Sequence, residues 1–428
     1  MYYYLYILFY TKPCLLSILG LIFGLLYAKI FEVMATLFLI IVFLLYIGLG
    51  VPDSSFGTAI PAMWAELNLP LSLASVVSLV ISVGTTISAF FSFKLTNKFG
   101  TGIVVAISTF TTALTLLGFS LTNSFYFTLL LAFPLGLGAG AIDSAINGFI
   151  ASHYSSSVMS FLHCFYGIGV FITPFLFSFT LKNNNDWRLG YEFIFYIQLA
   201  LGVLSLVAIP MWKKVANAKL KPDEEIIPLN LSYKRMAKSS PVRFMWIAFF
   251  STCALEFTCD VWGTSFLVSL GMSESLSARF ISFYFVGITL SRIISGILNA
   301  KFPFKNVIAI GYFVMAMGVI TLFLPLSPLL KGVAIFLIGL GNGQTFPNLT
   351  FSAPYFFGKN AVPALISSQM VASNLGILII PPLFGVVAQK FSVKLFPYFL
   401  IVLLVFLILS TLIYFKKPKT DFNDLQNN

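Results

Sequence analysis

Residues 84–99 read GTTISAFFSFKLTNKF, and residues 287–302 read GITLSRIISGILNAKF. Gly84, Thr86, Ser88, Ser92, Leu95, Lys98 and Phe99 recur as Gly287, Thr289, Ser291, Ser295, Leu298, Lys301 and Phe302, at an offset of 203 residues (287 − 84). The same offset carries Gly136-Leu137-Gly138 and Gly140 onto Gly339-Leu340-Gly341 and Gly343. A third set, Gly169, Pro174, Leu176 and Phe177, returns as Gly376, Pro381, Leu383 and Phe384 at an offset of 207 (376 − 169). Apolar segments match by chance, so one pair is weak. Three pairs in one order, two at one offset, indicate a chain made of two related halves.

Composition says where such halves live. The 428 residues are 59% hydrophobic, 17% aromatic and 9% charged, with a mean hydropathy of +0.97. Soluble domains carry about 25% charged residues, so this chain could not wet a globular surface. Its charges fall between long apolar runs, which predict membrane helices at roughly 35–62, 73–96, 102–122, 125–152, 157–181 and 189–212, then 243–269, 277–301, 305–325, 329–352, 363–389 and 393–415. Each is long enough for ~30 Å of hydrocarbon. The short alternating segments of a β-barrel are absent. The expected fold is all-α and integral to the membrane, with twelve transmembrane helices in two pseudo-symmetric six-helix bundles, 34–212 and 243–428, the second ending in a short tail.

The stretch 213–242 joins the halves and holds Lys213, Lys214, Lys219, Lys221, Lys234, Arg235 and Lys238, with Arg243 just beyond. Basic residues at helix ends stay cytoplasmic. With both core termini and this linker inside, sixteen basic residues downstream of Met34 fall inside. Six (Lys182, Arg188, Arg279, Lys331, Lys390 and Lys394) fall outside. This topology explains the net charge of +11 without nucleic acid, and the expected location is a plasma membrane. Residues 1–33 form an apolar extension without a signal-peptide cleavage pattern. It reads as an extra helix, an interfacial segment or sequence upstream of a natural start at Met34; a peripheral or start-site origin best fits the charge rule. The cysteines (Cys14, Cys164, Cys253, Cys259) and histidines (His153, His163) make no metal-ligand spacing, so no metal or cofactor is expected.

Duplicated halves build secondary transporters, with the solute site between them near the bilayer midplane. A charge there costs at least ~2.5 kcal/mol and needs a reason. Asp53 lies in Gly48-Leu49-Gly50-Val51-Pro52-Asp53-Ser54-Ser55-Phe56-Gly57, and Glu256 stands 203 residues later (256 − 53). Asp143 is one helical turn before Asn147, on the same face; Glu256 and Asp260 repeat that spacing. Asp53, Asp143 and Glu256 are candidates for proton coupling and solute binding. Asn147, His163, Gln344, Asn348 and Asn374 offer hydrogen bonds to a polar solute, and Trp262 offers a flat apolar face. The bland alternative pairs the acids structurally, for instance with Arg292, and treats the glycines as close-packing residues. A buried His163 can likewise be simply hydrogen-bonded.

These residues resemble the Major Facilitator Superfamily over 34–415, and within it the fucose permease-type sugar:proton symporters. The resemblance rests on Asp53 in its context, Gly138-x-Gly140-x-x-Asp143-x-x-x-Asn147, Leu162-His163, Gly167-x-Gly169 with Pro174, and Trp187-Arg188-x-x-Tyr191. It implies that Asp53 and Asp143 serve substrate binding and proton coupling; Lys98, Gly100, Arg292, Pro174 and Pro381 are expected in structural or gating roles. The family's loop motif between helices two and three is only partly kept: Asn97 replaces its acid, and Thr101 and Gly102 replace its bases. In the second copy Ala300 stands where the acid belongs. The expected partners are a small polar solute such as a sugar, protons and lipid, for a chain acting as a monomer. Two alternatives stay open: efflux of drugs or metabolites by proton antiport, and a non-transporting sensor of the same fold. No enzyme motif and no phosphate-binding loop is present.

Overall fold

The computed structural model describes residues 29, 32–53, 55, 56, 58, 59, 62, 63, 66, 67, 72–184, 186–219, 228–272, 274–417 and 422. The extension 1–33 therefore lies outside the described residues except for Lys29, Glu32 and Val33. In lipid a backbone must satisfy its own hydrogen bonds, and helices do so within one segment. Among the described residues every regular element is helical.

Among the described residues, twelve spans are long and apolar enough to cross a bilayer. The first half contains α1 (Glu32–Asp53), α2 (Ser72–Phe99), α3 (Thr101–Leu121), α4 (Phe125–His153), α5 (Ser156–Asn184) and α6 (Trp187–Lys219). A short α7 (Tyr233–Lys238) precedes the second half: α8 (Ser240–Ser269), α9 (Glu274–Leu298), α10 (Phe304–Phe323), α11 (Pro328–Asn342), α12 (Thr345–Phe357), α13 (Val362–Lys390) and α14 (Phe396–Lys416). Helix α6 runs past the expected loop start because Lys213, Lys214, Ala216 and Ala218 are good helix formers. The connection is thus shorter than 213–242, and it is anchored to both halves. Leu229 N donates to Asn360 O at 2.9 Å, and the Tyr233 ring stacks on Phe90 at 4.3 Å.

The duplication is visible in the packing. Helix α2 packs on α4 and α3 on α4 in one half, as α9 packs on α11 and α10 on α11 in the other. A Cβ on Gly136 would collide with the carbonyl oxygen of Ile81, and one on Gly339 with that of Tyr284. A Cβ on Gly169 would meet Ile47 O, and one on Gly376 would meet Phe250 O. Ile81 and Tyr284 are 203 residues apart (284 − 81), as are Ile47 and Phe250 (250 − 47). The repeated glycines mark the same helix crossings twice.

One span departs from expectation. The tenth, expected as one helix over 329–352, is broken between α11 and α12 at Gly343-Gln344. Pro347 lacks the N–H that would bond to Gly343 O four residues earlier, and the Gly341-Asn342-Gly343 run holds a helix weakly.

Candidate functional site

The linker-side end of the seam between the halves is closed. Ser367 Oγ of α13 donates to Ala89 O of α2 at 2.5 Å and accepts from Phe93 N at 3.1 Å. Ser160 of α5 and Ser295 of α9 have their hydroxyls 3.0 Å apart. Asn299 Nδ2 adds bonds to Ser160 Oγ at 3.2 Å and Asn348 Oδ1 at 2.8 Å. These are hydroxyl and amide contacts, without charge.

Deeper in the first half, four side chains converge. The Tyr46 hydroxyl of α1 donates to Asp143 Oδ1 of α4 at 2.7 Å. Asn147 Nδ2 donates to Asp143 Oδ1 at 2.8 Å and to Tyr46 Oη at 2.5 Å. Its Oδ1 then faces His163 Nε2 of α5 at 3.1 Å. With the amide nitrogen committed to Asp143 and Tyr46, this network assigns the ring proton of His163 to Nε2. Sequence spacing found Asp143, Asn147 and His163; it missed Tyr46, seven residues before Asp53 and so two turns away on nearly the same face of α1.

Asp53 is exposed and accepts a 2.6 Å bond from the Tyr166 hydroxyl of α5. The guanidinium carbon of Arg292 lies 5.8 Å from the centre of the Tyr166 ring, reaching across the seam from α9. In the second half, Glu256 Oε2 accepts from Asn342 Nδ2 at 3.2 Å, and Asn342 Oδ1 accepts from Thr252 Oγ1 at 2.8 Å. The acids of the two opening helices are therefore held differently despite their matched positions.

Arg292 forms no ion pair with a described carboxylate; among the described residues the pair is Arg188–Glu66. The bland pairing of the acids with Arg292 is not what the geometry contains. Gln344 sits at the break and donates to Val307 O of α10 at 2.8 Å. Asn348 is buried, donating to Ser295 Oγ and Gln344 O, both at 2.8 Å, so it belongs to the linker-side closure. Asn374 is half-buried on α13. Trp262 donates to Pro381 O at 2.9 Å and lines a cavity of about 580 Å³ with Ser265, Pro382 and Gln389. It is thus tied to α13, apart from the Asp143 cluster. Lys98 is exposed, 5.2 Å from the Phe99 ring. Gly100 joins α2 to α3 at φ 84°, a conformation that favours glycine. Pro174 falls within α5, its side chain outside the described set; its neighbour Thr173 donates to Val51 O at 2.9 Å.

Comparison with known proteins agrees with this architecture. The chain is 26% identical over 228 residues to the glucose/mannose transporter GlcP of Bacillus subtilis, covering 52% of this chain and 56% of that one. The match thus spans little more than half the length of that relative. It is 24% identical over 403 residues to Bypass of stop codon protein 6 of Saccharomyces cerevisiae, covering 86% of this chain and 78% of that one. The E. coli fucose:proton symporter FucP superposes with a TM-score of 0.69 at 18% identity, over 90% of this chain and 99% of that one. The proton:xylose symporter XylE does so at 0.67 and 12% identity, over 88% and 95%. At these identities the likeness to solved structures is one of fold. Residues 38–372 match the sequence profile of the Major Facilitator Superfamily, and with twelve apolar spans among the described residues the chain belongs to that superfamily, as a multi-pass membrane protein.

Proposed function

We propose that this chain carries a small polar solute, a monosaccharide, across the plasma membrane by alternating access, in symport with protons. The observation that carries the reading is the arrangement of Asp53 and Asp143. One is exposed and held by Tyr166; the other lies deeper, held by Tyr46 and Asn147. A carboxyl held by hydroxyl and amide donors without a cation can take up and release a proton as its surroundings change. Hydroxyl, amide and imidazole groups around it suit a polyhydroxylated ring. The likeness to the glucose/mannose transporter GlcP and to the fucose:proton and proton:xylose symporters FucP and XylE supports the same solute class.

The basic linker and the excess of positive charge at that end support cytoplasmic termini for the twelve-helix core. The halves then correspond to 34–212 and 243–428, and one chain carries a complete site. A second reading rests on Phe346, whose ring lies 5.2 Å from His163, and on Phe249, 5.3 Å from Phe346. An apolar wall of this kind suits an amphipathic solute and efflux by antiport.

The test is uptake of labelled monosaccharides into proteoliposomes with an imposed proton gradient, for wild type, D53N and D143N. Gradient-driven accumulation abolished by either change, with exchange retained in one of them, is the expected result. No sugar flux at any pH from well-folded protein overturns the sugar reading and favours the second.

A further inference from the structure

Ser367 stands 207 residues after Ser160 (367 − 160), the offset that relates α13 to α5, and Ser295 stands 203 after Ser92 (295 − 92), the offset that relates α9 to α2. All four serines are buried. The two seam contacts at the linker-side end are therefore repeats of one contact. Helix α5 meets α9 at Ser160 and Ser295, and α13 meets α2 where Ser367 bonds to Ala89 and Phe93, on either side of Ser92. Arg292, the repeat mate of Ala89 (292 − 203), adds bonds of its own. Its Nη1 donates to His163 O of α5 at 3.1 Å, and its Nε to Gly343 O at 3.4 Å, a carbonyl that Pro347 leaves without its helical donor. The side chain of Ala89 offers nothing similar, so the serine on α5 and α13 is what the two seams share.

Ala89 O and Phe93 N are four residues apart, the spacing of partners in the backbone ladder of an α-helix. The Ser367 hydroxyl sits on both, donating to the first and accepting from the second. When α13 withdraws, these two backbone groups close on each other and α2 strands no polar group. The other contact has the same property. Ser295 Oγ also accepts from Asn348 Nδ2 at 2.8 Å and from Asn299 Nδ2 at 3.2 Å, both of its own half, so it keeps partners when α5 leaves. Ser160 and Ser367 can each turn back to a carbonyl of their own helix, as helical serines do. A buried polar group left unpaired costs more than a hydrogen bond gains, and neither contact incurs that cost on opening.

We propose that Ser160 and Ser367 are positioning residues of the transport cycle: two equivalent neutral clasps that hold the linker side shut and release without stranding a donor or an acceptor. They lie on separate helix pairs, α5–α9 and α13–α2, so their effects on the closed population multiply. This rests on alternating access but not on the solute being a sugar.

The test needs no solute. Spin labels on N97C and K301C, exposed positions at the linker-side ends of the two halves, report separation by pulsed electron resonance in nanodiscs, in a chain whose native cysteines are replaced by alanine. S160A and S367A are each expected to raise the long-distance population about two- to tenfold, the worth of one net hydrogen bond, and the double variant by the product of the two. S160T and S367T keep the hydroxyl and return the population toward that of the parent. S410A removes a buried serine bonded to Leu407 O of its own helix and leaves the population unchanged. The S367A protein folds with a thermal midpoint near that of the parent, because α2 completes its own ladder. Serine variants that leave the distance distribution unchanged overturn the proposal; if the parent itself populates both distances, alternating access still stands. A shift that S410A matches, or a double variant no more open than either single one, overturns it too. Sugar flux absent with these shifts intact sinks the solute reading and leaves the clasps standing.

Discussion

Asn147 is the residue on which the Asp143 cluster turns: one amide orders a tyrosine, a carboxyl and a histidine from three helices. Its spacing from Asp143 is readable along one helix face; Tyr46 and His163 join only where α1 and α5 cross α4. A second residue-scale knot ties the start of α6 to Glu66, which follows the end of α1. Glu66 accepts from Trp187 Nε1 at 2.7 Å and from Arg188 Nη1 at 2.8 Å, while Arg188 also reaches Thr122 O at 3.2 Å and Asn123. The Arg188 hydrogen bond, followed by that of Trp187, holds the Glu66 carboxyl below the usual glutamate range. A depressed carboxyl stabilises the fold above its unfolded value and loses that contribution as pH falls through the folded one. The pair is partly exposed, so solvent limits its worth to at most about 1 kcal/mol. E66Q is expected to lower the thermal midpoint by about 1–3 °C at neutral pH, with the gap closing below the ordinary glutamate range. A gap of equal size near pH 3.5 in a fluorescence melt would count against the pairing.

At the scale of elements, the break between α11 and α12 carries the argument. Pro347 withholds one N–H, Gly343 O is left open, and Arg292 takes it. P347A restores the missing donor and lets the span close as one helix. The substitution is expected to raise the thermal midpoint, since a proline inside a helix costs about 3 kcal/mol, and to slow transport by about fivefold or more as Arg292 loses its cap. Proteoliposome exchange and a melt on the same preparation check both signs. Faster transport with unchanged stability would mean that the break serves another purpose. The proline was present in the sequence, yet the tenth span reads as continuous there. Hydropathy does not register a single missing donor, and a kink becomes a break only when a neighbour takes the freed carbonyl.

The whole molecule is a duplicated object, and its two halves make paired predictions. G136A and G339A each place a methyl group against a backbone carbonyl of the neighbouring helix, an overpacking that costs about 1–3 kcal/mol. Both are expected to lower the thermal midpoint by similar amounts. A loss confined to one half, measured by melting in one detergent, would show that the crossings are not equivalent. Function breaks the symmetry that packing keeps. Asp53 and Glu256 match in position, yet one takes a tyrosine hydroxyl and the other an asparagine amide.

The sequence by itself determined the membrane class, the helix count, the duplication and the pairing of Asp143 with Asn147. Each follows from local rules: apolar length against bilayer thickness, and the 3.6-residue repeat along one helix. Only the tertiary structure decided that Tyr46 and Tyr166 hold the acids, that Gln344 turns toward α10, that Asn348 belongs to the closure and that Arg292 rests on carbonyls. Those partners lie tens to hundreds of residues apart. Side chains on different helices meet according to how closely and at what angle the helices cross, which the local pattern of either helix leaves open.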